Sequence, residues 1–225
     1  MSSFEVAEAI QSLQSVPITD AVKRRIINLI DLTSLNATDT EVSMATFCKK
    51  AKTPLGLVAA ICVYPQFVRL MATEFADTSI KIATVANFPQ GTESLEEVLA
   101  EINRALTDGA QEIDVVFPYT RYLSGNKSYA REFIAACKAA CGENITLKVI
   151  IESGALHDLA IIKEVSKEVI IAGANFVKTS TGKIAQGASL EAAAASQGSA
   201  WRAAYAGLGQ VRRGLRERSL LRSRG

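Results

Sequence analysis

The run Glu112-Ile113-Asp114-Val115-Val116-Phe117 decides the fold. Its β-branched and aromatic residues predict a strand. Successive side chains of a strand point to opposite faces, so Ile113, Val115 and Phe117 share one side and Asp114 lies on the other. A strand of a doubly wound sheet is buried on both faces and reads as continuous Val, Ile and Leu. A barrel instead gathers inward polar groups towards the C-terminal ends of its strands. A carboxylate inside this apolar run therefore favours an α/β fold of the TIM (β/α)8 type over a flavodoxin-like sheet.

Working outward, the same kind of run recurs. Strands are predicted at Ile27–Leu32, Leu57–Val63, Ile80–Ala86, Ile145–Glu152 and Asn175–Ser180, which makes six with the first. Helical patterns lie between them, at 39–50, 66–76, 94–108, 127–140 and 156–172. One helix between each pair of strands makes βαβ units and hence a parallel sheet. Thr38 and Ser94 are suited to cap helix N-termini, and Gly109 and Gly173 follow helix C-termini. The same parity argument turns Lys148 and Lys178 to the inner face with Asp114. No GxGxxG or GxxxxGK[ST] motif is present, which argues against a dinucleotide or P-loop site.

The chain has 225 residues, 48% hydrophobic and 21% charged, enough for one sizeable core. The net charge of +2 hides an asymmetry. Residues 1–187 carry 18 Lys and Arg against 21 Asp and Glu, whereas residues 188–225 carry 7 Arg against 2 Glu. The reading is a domain over 1–187 followed by an Arg/Ala-rich tail over 188–225 that is disordered. A competing reading makes that tail a basic arm for nucleic acid or acidic partners. The four cysteines (Cys48, Cys62, Cys137 and Cys141) read as reduced thiols rather than a disulfide framework or a metal site. The N-terminus lacks the pattern of a signal peptide, and no apolar run is long enough to span a membrane, so a cytoplasmic protein is expected.

Lys178, in Asn175-Phe176-Val177-Lys178-Thr179-Ser180-Thr181-Gly182-Lys183, is the first candidate for chemistry. A lysine in a buried strand is costly when charged. It reads either as a nucleophile, its pKa lowered by desolvation and a nearby cation, or as a lysine that snorkels out of the strand end or pairs with Glu152. The Thr-Gly-Lys turn behind it offers backbone N–H groups and the Lys183 charge to a phosphate. Asp114 reads as a proton carrier or as the partner of Lys148 or Lys178. Asp31 is a similar but less specific carboxylate. Cys62 reads as a small inward core residue, Glu152 as a lysine partner and His157 as the opener of a surface helix.

Taken together, the segments Asp31-Leu32-Thr33-Ser34-Leu35, Ala60-Ile61-Cys62-Val63-Tyr64-Pro65, Glu112–Pro118, Leu147–Gly154 and Phe176–Lys183 resemble the successive strand motifs of the deoxyribose-phosphate aldolases, in order and spacing. The resemblance spans roughly residues 26–187. It implies a TIM barrel that reversibly cleaves 2-deoxy-D-ribose 5-phosphate to D-glyceraldehyde 3-phosphate and acetaldehyde, in deoxyribonucleotide catabolism. Lys178 would form a Schiff base and Asp114 would assist proton transfer. Gly182 and Lys183 would hold the phosphate, while Asp31, Thr33, Cys62 and Lys148 would line the substrate pocket. The chemistry implies no metal or organic cofactor, and the partners implied are a phosphorylated sugar and a second copy in a homodimer, with no membrane or nucleic acid. The family's next motif, a Gly-x-Lys strand supplying a second lysine, has no match, since no lysine follows Lys183. A frameshifted or truncated C-terminus is therefore expected, with six strands where closure takes eight. An inactive aldolase remnant or a sugar-phosphate binding protein is the alternative.

Overall fold

The computed structural model describes residues 17–196, together with Ala7 and Gln11. Six parallel strands form one sheet in the order β1, β4, β5, β6, β7, β8: β1 (Asp31–Ser34), β4 (Ala60–Val63), β5 (Lys81–Ala86), β6 (Glu112–Val116), β7 (Thr146–Ile150) and β8 (Phe176–Lys178). A two-residue ladder, β2 (Lys52–Thr53) with β3 (Gly56–Leu57), stands apart from it. The sheet curls into a half-barrel, the incomplete TIM-type arrangement expected from the strand parity. Register confirms the parity: Asp114 pairs with Lys148, and Ile150 with Lys178.

The helices cover the outer face. They are α1 (Asp20–Ile27), α2 (Glu41–Cys48), α3 (Val68–Glu74), α4 (Leu95–Thr107), α5 (Tyr119–Leu123), α6 (Lys127–Cys141), α7 (Ser153–Leu156), α8 (Leu159–Ile171) and α9 (Leu190–Ser196). The main core lies between sheet and helices and holds Ile61, Val63, Ile82, Ile113, Val115, Leu147 and Val149 from alternate strand positions. A second, smaller apolar cluster of Ala60, Cys62, Ala83 and Val85 occupies the inner face. Small residues there leave room for the long side chains of β6, β7 and β8.

Local chemistry explains the helix limits. Ser94 caps α4 in a reciprocal box with Glu97, as expected. Gly109 and Gly173, both at φ +104, let the chain turn from helix to strand, a conformation that costs glycine little.

Several limits differ from the sequence reading. The first strand begins at Asp31 rather than Ile27, because Thr19 caps α1 and the helix runs through Ile26 and Ile27. Helical hydrogen bonding there overrides the β-propensity of paired isoleucines. Thr40, not Thr38, caps α2. Only the second half of the predicted strand Leu57–Val63 joins the main sheet, since Gly56–Leu57 pairs with Lys52–Thr53. His157 closes α7 at φ +56 instead of opening a helix, and Asp158 caps α8.

The Arg/Ala-rich tail read over 188–225 begins inside the described region. Its described part includes the helix α9, which packs on α8 and buries Ala192 and Ala195. The remainder of that tail, with the basic arm and the frameshift reading, lies outside the described residues. Among the described residues no helix is long and apolar enough to cross a membrane.

Candidate active site

Five charged side chains from four strands meet on the inner face. Alternation on β6 sends both Glu112 and Asp114 inward, β7 contributes Lys148, β8 contributes Lys178 and β1 contributes Asp31. Lys148 stands at the centre. Its Nζ lies 2.8 Å from Asp31 Oδ2 in an aligned hydrogen bond. It lies 2.7 Å from Glu112 Oε2 and 2.9 Å from Asp114 Oδ1, contacts that are ion pairs by distance without hydrogen-bond alignment. Lys178 Nζ donates to the other oxygen of the same aspartate, Asp114 Oδ2. One fully buried carboxylate is thus shared by two ammonium groups.

The two lysines differ in exposure. The Lys148 side chain is 2% exposed and that of Lys178 is 28% exposed. Lys178 therefore sits at the mouth and Lys148 at the floor. Lys148 spans strands that are not neighbours and ties β1 to β7 across the curl.

Electrostatics follow from this packing. For Asp114, burial alone would push the pKa up, but Lys148 and Lys178 outweigh it and hold the carboxyl below its ordinary value. For Lys148, burial works against the charge, yet Asp114, Glu112 and Asp31 raise its pKa well above the usual lysine value. The nucleophile reading of Lys178 calls for a lowered pKa, the ion-pair reading for a raised one. Burial and the Lys148 charge both act to lower it, but Asp114 outweighs them and the pKa is raised. The ion-pair reading of Lys178 is thus realised with Asp114 rather than with Glu152.

Cys62 faces inward beside this group, its Sγ 4.0 Å from Asp114 Oδ2. Burial, then the Asp114 charge, push its thiol up to about 12. Thr33 is exposed on β1, with its hydroxyl donating to the Asp31 carbonyl at 3.0 Å. Gly182 and Lys183 lie in the turn after β8. Lys183 Nζ donates to the Leu35 carbonyl, behind β1, so the loops that follow the first and last strands of the sheet meet over its mouth.

Glu152 departs from the sequence reading. It is fully buried just beyond the end of β7, yet among the described residues no ion pair joins it to a lysine. Its Oε2 accepts the Thr181 hydroxyl, and the Thr181 N–H lies 3.3 and 3.4 Å from its two oxygens. Its backbone is left-handed, at φ +51 and ψ +63, a region uncommon for residues with a side chain. A glutamate at a strand end, with Lys148 four residues before it and Lys178 on the next predicted strand, invites an ion-pair reading, and only the folded geometry turns it to a threonine.

A curled parallel α/β sheet with an amine and a carboxylate converging on its inner face is an incomplete TIM-type α/β barrel with a charged interior. The comparisons agree: a model for "DeoC/LacD family aldolase" matches residues 25–203, and the chain belongs to that family. Among solved structures, a Coccidioides immitis protein assigned as a deoxyribose-phosphate aldolase is 28% identical, with 86% of this chain and 77% of that one aligned and a TM-score of 0.74. A Toxoplasma gondii protein with the same assignment is 26% identical over 89% of this chain and 75% of that one, with a TM-score of 0.71. The tetrameric deoxyribose phosphate aldolase of Aeropyrum pernix is 25% identical over 81% and 73%, with a TM-score of 0.63.

Proposed function

We propose that this aldolase cleaves 2-deoxy-D-ribose 5-phosphate reversibly to D-glyceraldehyde 3-phosphate and acetaldehyde, through a Schiff base on Lys178. The observation that carries the reading is the shared carboxylate. Asp114 contacts the partly exposed Lys178 amine and can take up or return its proton.

The steps follow from that pairing. Lys178 gives a proton to Asp114 or to solvent, and the neutral amine attacks C1 of the open-chain aldehyde. Asp114 protonates the departing hydroxyl of the carbinolamine, and water leaves to give a cationic imine. The C3 hydroxyl then gives its proton to Asp114, now a carboxylate again, the C2–C3 bond breaks, and its electrons pass into the imine to form an enamine. Glyceraldehyde 3-phosphate departs with the new aldehyde. The enamine takes a proton at C2, and water hydrolyses the imine, releasing acetaldehyde and the free amine. The Lys183 ammonium and the Gly182 N–H of the turn hold the phosphate, while the Thr181 and Lys183 N–H groups are engaged within the loop. Asp31, Thr33 and Cys62 line the pocket, and Lys148 fixes Asp114. The reaction belongs to deoxyribonucleotide breakdown in the cytoplasm, and a homodimer is the assembly we expect.

Borohydride trapping with acetaldehyde tests the reading. The expected product is an N-ethyl group on Lys178, found by mass spectrometry of its peptide. An unmodified Lys178 in a cooperatively folded protein would overturn it. A second reading, a sugar-phosphate binding protein without turnover, is favoured by the raised Lys178 pKa, which keeps the amine charged. Binding of the sugar phosphate with no adduct would select that reading.

A further inference from the structure

Beyond the lysines and Asp114, we infer that Glu152 is a positioning residue that sets the phosphate end of the substrate. The inference rests on the reading of the Thr181–Lys183 turn as the phosphate holder. The segment 151–154 lies directly on the loop that leaves β8. The Ile151 N–H donates to the Lys178 carbonyl at 2.9 Å, and the Ser153 N–H donates to the Thr179 carbonyl at 2.7 Å. A Cβ on Gly154 would come within 2.1 Å of the Gln186 carbonyl oxygen, so this loop packs against bare backbone. Between these contacts sits the buried Glu152 carboxylate, on Thr181 N–H and hydroxyl.

Thr181 passes the constraint on. Its Oγ gives its proton to Glu152 and accepts the Lys183 N–H at 3.1 Å. Glu152 thus fixes Thr181, and Thr181 fixes the backbone of Lys183. A carboxylate can only accept, so its two bonds fix the direction in which Thr181 donates. The left-handed backbone of Glu152 aims its carboxylate at this loop rather than at the lysines of the inner face. The Glu152 carboxylate bonds Thr181, whereas the Lys178 amine bonds Asp114, so Glu152 acts through the loop.

The consequence is discrimination between phosphorylated and unphosphorylated sugars. The affinities of the full chain for 2-deoxyribose 5-phosphate and for 2-deoxyribose are measured by calorimetric titration, so no turnover is needed. Wild type should prefer the phosphate. Glu152→Ala and Thr181→Val should each lose roughly tenfold or more of that preference, the size of a charge-assisted hydrogen bond, with little change for the unphosphorylated sugar. Thr181→Ser, which keeps the hydroxyl, should restore it. If turnover is present, the loss should fall on KM for the phosphorylated sugar and leave kcat nearly unchanged.

Equal weakening for both sugars, failure of Thr181→Ser to restore the preference, or absence of a preference in wild type would each overturn the inference. If Glu152→Ala does not unfold cooperatively, Thr181→Val alone decides. Trapping of acetaldehyde on Lys178 serves as the separate control. An adduct in every variant leaves the Schiff-base reading intact whatever the phosphate data show, and its loss in wild type alone bears on that reading and not on Glu152.

Discussion

Lys148 Nζ and Asp31 Oδ2 lie 2.8 Å apart although 117 residues separate them in the chain. Their strands, β7 and β1, are separated by three others in the sheet, so the contact exists because the sheet curls. Removing the lysine leaves Asp31, Glu112 and Asp114 without their shared cation. Lys148→Met should therefore lower the unfolding free energy by about 3–5 kcal/mol at pH 7, the usual effect of orphaning buried charge. Urea unfolding measures it, and a variant within about 1 kcal/mol of wild type at pH 7 would contradict the central place given to Lys148.

The Lys178 amine answers to Asp114. Because Asp114 is what raises the Lys178 pKa, Asp114→Asn should lower it and expose more neutral amine at pH 7. Turnover should nonetheless fall by roughly a hundredfold or more, since the proton carrier is gone. Competitive acetylation of Lys178 across pH gives the pKa directly. An unchanged or higher pKa in the variant would break the link.

Stability should depend on pH at both ends. Asp114 has a lowered folded pKa, so its contribution is present above the unfolded value near ~3.9 and is lost as pH falls through the folded value. Lys148 and Lys178 have raised folded pKa values, so their contribution is full below the unfolded value near ~10.4 and is lost as pH rises through the folded values. Thermal unfolding should show a plateau between these limits. Lys178→Met should shorten the alkaline fall, and an alkaline limb identical to wild type would argue against the shift on Lys178.

The cysteines make a simpler case. Burial pushes Cys62 and Cys137 up to about 12 and Cys141 up to about 11, and Cys48 is also raised and buried. The thiolate is the reactive form. Iodoacetamide at pH 8 should leave the native protein unlabelled over a time in which the urea-unfolded chain takes four groups. Rapid native labelling at Cys62, read by peptide mass spectrometry, would mean that the inner face opens far more than its packing implies.

Much of this was legible from alternation alone. A charge inside an apolar strand has only two directions, and the neighbours of Asp114, Lys148 and Lys178 send all three inward. The strand order and the parallel sheet follow from the intervening helices. What stayed hidden depends on distant parts of the chain. Nothing local to Lys148 names Asp31, and nothing local to Glu152 names Thr181, because each pairing requires the curl or a left-handed backbone. The pKa direction of Lys178 stayed open for a related reason. Burial, a nearby cation and Asp114 as a partner of Lys148 or Lys178 were all legible, but which of these opposing effects dominates at Lys178 depends on distances that only the fold sets. The start of β1 was misplaced because Ile26 and Ile27 suit a strand intrinsically while Thr19 starts a helix that carries through them.

The inner face holds two ammonium groups and three carboxylates, and so carries one negative charge when Lys178 is protonated. A neutral amine at Lys178 makes that two. An aldehyde condensing there restores the positive charge on nitrogen as an iminium, whereas an acyl group would leave the nitrogen neutral for good. The surroundings of Lys178 thus act as a cast for a cation. They favour the partner that returns a charge to the nitrogen, and this selects carbonyl condensation over acylation before any contact with the rest of the substrate is made.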